Sequence, residues 1–225
     1  SRSTGSSSGW PTRSKPKAST CSPGSPARSF STRATVWLVS EPGIAASTGA
    51  VALFHVVGVT PEAATLDAAT HGQVPGRTVA LTAEMLRGSL ARLSTAGQGG
   101  RVDAVAVGSP HFSMGEFEHL VRLVSGRRLA VPFYACTARG TLLALEEQGD
   151  AEVLREAGVE IIVDTCVVVT PILPASGGVL MTNSGKFAHY GPSNTGYEVL
   201  YGSLEDCVDS AVAGRALSSP EVWAW

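Results

Sequence analysis

The chain has 225 residues, 44% of them hydrophobic, and a formal net charge of −2. That length and apolar content suffice for one large or two small globular domains, and near-neutrality gives no whole-molecule field suited to nucleic acid. The longest apolar runs are strand-sized, so no transmembrane helix is expected.

The chain opens on Ser rather than Met, as a trimmed or partial chain would. Residues 1–33 are dominated by Ser, Pro, Gly, Arg and Lys, with Arg2, Arg13, Lys15, Lys17, Arg28 and Arg33 and no acidic residue. So few apolar side chains do not offset the entropy of ordering, and the segment is expected to be disordered. Its Ser/Arg-rich, acid-poor character also has something of a transit peptide, without the amphipathic pattern. Residues 1–44 are thus set apart as a leader, and ordered sequence is expected to begin between Ala45 and Val51.

Val51 to Val57 is a near-continuous apolar run, the pattern of a strand covered on both faces. Thr60-Pro61-Glu62 then offers an N-cap, a residue suited to the first helical position and a carboxylate for the helix start, predicting a helix through Leu66 to about Ala69. Val79-Ala80-Leu81 reads as a short strand. Thr82 caps a helix with Leu86, Leu90 and Leu93 on one face. Asp103 to Val107 is a strand closed by Gly108. Ser113-Met114-Gly115-Glu116 is a capping box, opening a helix that buries Phe117, Leu120, Val121 and Val124.

Leu129 to Ala135 is the next strand, followed by helices over Arg139–Gln148 and Ala151–Ala157. Val159 to Val163 is β-branched and reads as a buried strand ending at Asp164-Thr165-Cys166. The apolar run Val179-Leu180-Met181 leads into Thr182-Asn183-Ser184-Gly185-Lys186-Phe187-Ala188-His189-Tyr190. A last helix opens at Ser203, with Leu204, Val208, Ala211 and Val212 on one face. Strand and helix alternate throughout, so the fold class is α/β with a mostly parallel sheet. No Gly-rich dinucleotide or phosphate-loop motif is present.

Chemistry-bearing residues cluster after the predicted strands, where open α/β sheets bind ligands. A thiolate at Cys166 suits iron, and a small buried core thiol is its alternative. Cys207, on the last helix, is either core-facing or a ligand. Cys136 follows an apolar strand and reads as core. No C-x-x-C pair and no secretory signal occur, which favours reduced thiols in a cytoplasmic setting over disulfides. Gly108-Ser109-Pro110-His111-Phe112-Ser113 lies at a strand-to-helix junction, whose backbone N–H groups suit anions. His111 there can donate to a substrate carboxylate or act as an acid. Lys186 can hold a carboxylate and His189 can relay a proton. His55, within an apolar strand, is a hydrogen-bonded core histidine or a site-lining one. Glu62 is first a partner for a helix dipole. Ser109, His111, Cys166, Ser184 and Lys186 are expected to meet at one edge of the sheet.

The D-T-C motif and the Thr182–Tyr190 loop, with Gly108-Ser109-Pro110-His111-Phe112-Ser113 and Phe54-His55-Val56-Val57-Gly58-Val59-Thr60-Pro61-Glu62-Ala63, resemble the aconitase X family in order and spacing. The resemblance runs from about Gly49 to Arg215, sets residues 45–225 apart as a partial aconitase X-like catalytic region, and corresponds to the C-terminal half of that family's catalytic subunit. It implies an aconitase-like fold and an iron–sulfur hydro-lyase acting on a small hydroxy acid, foremost cis-3-hydroxy-L-proline, with mevalonate 5-phosphate as the archaeal alternative. It implies Cys166 and Cys207 as metal ligands and Ser184 as base, with Lys186, His189 and His111 as catalytic partners. Ser109, Asn183, Thr165 and His55 are the implied substrate contacts. A small swivelling subunit or fused domain is the implied partner; no nucleic acid or membrane is. Relatives often carry Cys where Ser109 stands, a departure that argues against a four-cysteine site. Two readings from other classes stand beside this: a non-catalytic fragment lacking half of its site, and a metal-free α/β binding domain.

Overall fold

The computed structural model describes residues 54–219 except 176. The leader, the proposed start of order and the first part of the Val51–Val57 run lie outside these residues. The elements in chain order are α1 (Leu66–Thr70), α2 (Ala83–Leu93), β1 (Ala104–Phe112), α3 (Met114–Val124), β2 (Phe133–Thr137), α4 (Arg139–Gln148), α5 (Asp150–Ala157), β3 (Val159–Val163), β4 (Val179–Thr182), α6 (Gly185–Thr195), β5 (Glu198–Tyr201) and α7 (Leu204–Ala213).

The strands form one sheet in the order β3-β2-β1-β4-β5, every neighbouring pair parallel. The period-two alternation of each strand divides the core between the two faces. Val105, Val107, Phe133, Ala135, Val159, Met181 and Leu200 face one side, under α3, α4, α5 and α7. Ala104, Ala106, Tyr134, Cys136, Leu180 and Val199 face the other, under α6 and the loop carrying Val167 and Val168. The chain builds outward from β1 through β2 to β3, then restarts at β4 and builds the other way. That reversal goes with a change of covering face, as right-handed crossovers require. It places a topological switch point between β1 and β4.

The capping signals at Thr82, Ser113 and Ser203 are realised. Thr82 Oγ1 accepts from the Met85 N–H, and Ser113 and Ser203 form reciprocal capping boxes with Glu116 and Asp206. Four expectations are corrected. Thr60 caps no helix: its hydroxyl accepts from the Val56 N–H, Val57–Glu62 is a series of turns, and the short α1 is capped by Thr65 instead. Val79-Ala80-Leu81 is not a strand, and Val79 and Leu81 are exposed. The free edge of β5 is covered by the segment after α2, where Thr95 and Ala96 donate to the Val199 carbonyl and Thr95 Oγ1 accepts from the Val199 N–H. The strand expected from Leu129 starts at Phe133, because Leu129 and Ala130 donate to carbonyls of Ala157 and Ala211 and Pro132 has no N–H to give. Finally β3, read as buried, is an edge strand with Glu160 exposed and Ile161 to Val163 half-buried. Among the described residues no helix is long and apolar enough to cross a membrane.

Candidate active site

The β1 exit is bulged. Pairing with β2 runs from Val105↔Phe133 to Val107↔Ala135, breaks, and resumes at Phe112↔Thr137. Gly108 makes this possible: its φ is +79°, and a Cβ there would lie 2.2 Å from the Cys136 carbonyl oxygen. Only glycine permits that backbone-to-backbone approach at this φ. The bulge carries Ser109, which is buried, and His111, which is exposed.

The β4 exit meets it across the switch point. Ser184 is the N-cap of α6, accepting the Phe187 N–H at 3.1 Å, and its own hydroxyl donates to the Ser109 carbonyl. Its backbone N–H is held by Thr182 Oγ1 at 3.1 Å. The buried Ser184 thus ties the two loops that flank the switch point. Asn183 and Lys186 are half-buried beside it, and Lys186 follows Gly185 in the first turn of α6. His189 is exposed further along the same helix, its ring edge-on to Tyr190 at 4.9 Å.

From the β3 side, Cys166 is half-buried, and Ser109 Oγ lies 4.0 Å from its Sγ, within donating reach of sulfur. Thr165 Oγ1 shares a 2.5 Å hydrogen bond with Thr170 Oγ1. Asp164, with φ +60°, receives the Arg139 backbone N–H at 2.9 Å and the Arg139 Nε–H at 3.0 Å. The Arg139 N–H chiefly holds the Asp164 carboxyl below its ordinary value; the Arg139 guanidinium and the nearby His111 add to this, against the opposing effect of desolvation. The structure therefore brings Ser109, Cys166 and Ser184 into one group, with His111 within electrostatic reach of Asp164 and Lys186 in the first turn of α6.

One residue named from the sequence lies elsewhere. Cys207 is fully buried in α7 against the opposite face of the sheet, packed with the core that holds Val208 and Ala211. Burial, with Asp206 and Glu205 near it, pushes its thiol well up, so it stays protonated. Helical periodicity pointed it into the core, and the core is what it serves. His55 sits in the turn-rich segment before α1, its Nδ1 buried with no hydrogen-bond partner among the described residues. Cys136, read as core, lies beneath the site: burial raises its thiol to about 11, the Val167 N–H working against this and Cys166 with it.

Sequence reasoning missed Gly108 as the source of the bulge and Arg139 as the partner of Asp164. The one signal for the latter was an Asp directly after a strand, a residue type that tolerates left-handed backbone.

The fit of an iron–sulfur group can be judged from the donors. Such clusters take three or four protein ligands. Among the described residues no group of three or more His, Cys, Asp or Glu is placed to hold a metal. Cys166 fits as a single thiolate donor; the described residues alone fall short of a full set.

Family models agree with this architecture. The aconitase X third domain matches residues 102–213, and the aconitase X second domain matches residues 43–91. The chain belongs to the aconitase X family. It is 38% identical over 181 residues to cis-3-hydroxy-L-proline dehydratase of Pseudomonas aeruginosa, covering 79% of this chain and 31% of that protein. It is 40% identical over 166 residues to the Hypocrea jecorina enzyme of the same name, covering 72% and 28%. It is 31% identical over 170 residues to the phosphomevalonate dehydratase large subunit of Methanosarcina mazei, covering 76% and 40%. The crystal structure of Thermococcus kodakaraensis aconitase X in its holo-form superposes with a TM-score of 0.59 at 26% identity, over 71% of this chain and 40% of that one. The chain therefore spans about a third of the length of the cis-3-hydroxy-L-proline dehydratases it matches. The β1/β4 switch point, where Ser109 and Ser184 meet, falls within the third-domain match.

Proposed function

We propose that this aconitase X chain is the Ser184- and Cys166-bearing part of a hydro-lyase that dehydrates a small hydroxy acid, cis-3-hydroxy-L-proline foremost. The observation that carries the reading is the hydrogen bond from Ser184 to the Ser109 carbonyl, with Cys166 beside Ser109. It gathers a hydroxyl and a thiol at the sheet's ligand-binding edge, in a chain whose relatives are named as dehydratases.

Dehydration needs a base for a proton next to a carboxylate and assistance for the departing hydroxide. Ser184 Oγ is assigned as the base. It accepts a main-chain N–H at the positive end of α6, which favours an alkoxide; the bond its hydroxyl donates to the Ser109 carbonyl favours the neutral form and must be given up for Ser184 to take a proton. Lys186, in the same turn, is assigned to the substrate carboxylate, which the helix start also favours. Asn183, Thr165 and Ser109 line the approach; His111 and His189, both exposed, are assigned to proton exchange with solvent. The iron–sulfur cluster of the family would take Cys166 as one ligand, its other ligands lying outside the described residues, and when bound supplies a Lewis acid for the leaving hydroxide. We place the reaction in the cytoplasm and assign a small subunit or fused domain as partner, since the archaeal relatives are named large subunits.

The test uses an intact enzyme containing this region, assayed with cis-3-hydroxy-L-proline and, separately, mevalonate 5-phosphate. Ser184→Ala is expected to keep wild-type iron content while kcat falls about 100-fold or more, as for loss of a general base. Cys166→Ala is expected to lose both iron and turnover. Lys186→Ala should chiefly raise KM, because its contact exists before and during reaction. Wild-type turnover in Cys166→Ala or Ser184→Ala overturns the corresponding assignment. Turnover of mevalonate 5-phosphate alone overturns the substrate.

A further inference from the structure

We propose that Asp164 and Arg139 form a clasp that positions Cys166 towards Ser109, Asp164 being a positioning residue rather than a catalytic one. The inference rests on the reading of Cys166 as a site residue and adds the part of the fold that aims it.

Asp164 is one of two non-glycine residues among those described with positive φ. Few residue types hold φ +60° at low cost, and Asp is one of them. Its backbone N–H donates to the Thr137 carbonyl at 2.9 Å, anchoring the β3 exit to the end of β2. Its carboxylate takes three donors from one residue: the Arg139 backbone N–H at 2.9 Å, Nε at 3.0 Å and Nη2 at 2.9 Å. The backbone N–H takes Oδ1 while Nε and Nη2 both meet Oδ2, so one residue holds both carboxylate oxygens and with them the direction of the carboxylate. Arg139 is the first residue of α4, and Ala138, its N-cap, has no side-chain oxygen to give. The Asp164 carboxylate therefore caps α4 from another strand.

Only Thr165 separates this anchor from Cys166. On the far side the Cys166 carbonyl accepts from Val169 and Thr170 N–H groups, and Val167 and Val168 are buried. Cys166 is thus held from both flanks, and the clasp is the anchor on its β3 side. Asp164 and Arg139 are themselves at the surface, so their pairing adds little to global stability. Its consequence is local: it limits the directions in which the thiol can point.

The test is alkylation of the full 225-residue chain by iodoacetamide under reducing, metal-free conditions, read cysteine by cysteine from peptide masses. It needs neither substrate nor cluster, so its failure is separate from failure of the dehydratase reading. Asp164→Gly keeps a backbone free to adopt φ +60° and removes the carboxylate. Asp164→Asn keeps the left-handed tolerance and one oxygen acceptor. Arg139→Met keeps the backbone N–H and removes two of the three donors. In Asp164→Gly, Cys166 is expected to react about tenfold faster than in wild type while Cys136 and Cys207 stay protected, the mark of local rather than global opening. Asp164→Asn and Arg139→Met are expected to fall between the two. An unchanged Cys166 rate in Asp164→Gly overturns the proposal. So does a joint rise at all three cysteines, which would make the clasp a support of the whole fold.

Discussion

Gly108 shows how much of the site is backbone. A side chain there would strike the Cys136 carbonyl at 2.2 Å while also being held at φ +79°. Left-handed strain costs about 1–3 kcal/mol, and the clash adds to it, so Gly108→Ala is expected to destabilise the chain by roughly 2–4 kcal/mol. Equilibrium urea unfolding measures this directly, and a midpoint equal to wild type would refute it. Any bulge that does survive should carry Ser109 away from Ser184. At this scale the sequence was most legible where a side chain type announced its chemistry. Cys166, Ser184 and Lys186 were picked out by what they can do, and Ser109, Cys166 and Ser184 do meet. Gly108 and Asp164 were passed over as a strand end and a neighbour. Their roles come from φ values and from a strand two elements away, neither of which is written in local composition. Cys207 misled for a related reason: a thiol on a helix reads as ligand or core until the helix is docked, and α7 docks on the face away from Cys166.

The element α2 offers a clean measure of local propensity. Gly88 lies in its middle, with no positive φ, and a Cβ there would meet only the Arg92 guanidinium at an ordinary 3.7 Å. Gly88→Ala is therefore expected to stabilise by about 0.5–1 kcal/mol, by removing the entropic cost of glycine inside a helix. A lower thermal midpoint than wild type would mean that α2 docks more closely than its half-buried Leu86, Leu90 and Leu93 indicate. Helices were the most legible elements, because caps and periodicity are local signals. Thr82, Ser113 and Ser203 each accept the N–H expected of a cap. Thr60 carried a similar signature and failed, since its hydroxyl found the Val56 N–H four residues back and closed a turn first. Strand limits were less legible, because a strand exists only where a neighbour pairs with it. Val79 to Leu81 has strand-like residues but pairs with no strand, and the β5 edge is already taken by the Ser94–Ala96 segment. For β3 the β-branched run was read correctly as strand, yet nothing local distinguishes an edge from a centre.

Over the whole molecule, the sheet divides the interior into two cores, and each keeps one fully buried thiol. Cys207 lies on the α7 side and Cys136 on the α6 side. Global unfolding exposes both, so both should report on the stability of the entire fold through pH. The thiol of Cys136 is raised by burial from an ordinary 9.0 to about 11, and that of Cys207 is raised well above 9.0. A group whose proton is held more tightly in the folded state contributes its full stability below the unfolded value. That contribution is lost as pH rises through 9 towards the folded value, because the unfolded chain then gains by releasing the proton. For Cys136 the difference corresponds to at most roughly 3 kcal/mol at high pH. The thermal midpoint of the chain, kept reduced, is therefore expected to fall by several degrees between pH 8 and pH 10.5. Cys207→Ala removes one of the two groups at a residue away from the candidate site. Its midpoint should start lower at pH 8, from the small cavity left in the α7 core, and should then fall less steeply than wild type. The Cys136→Ala, Cys207→Ala double variant should be flatter still. Curves that stay parallel from pH 8 to pH 10.5 would mean that neither thiol is as desolvated as its place in the two cores requires.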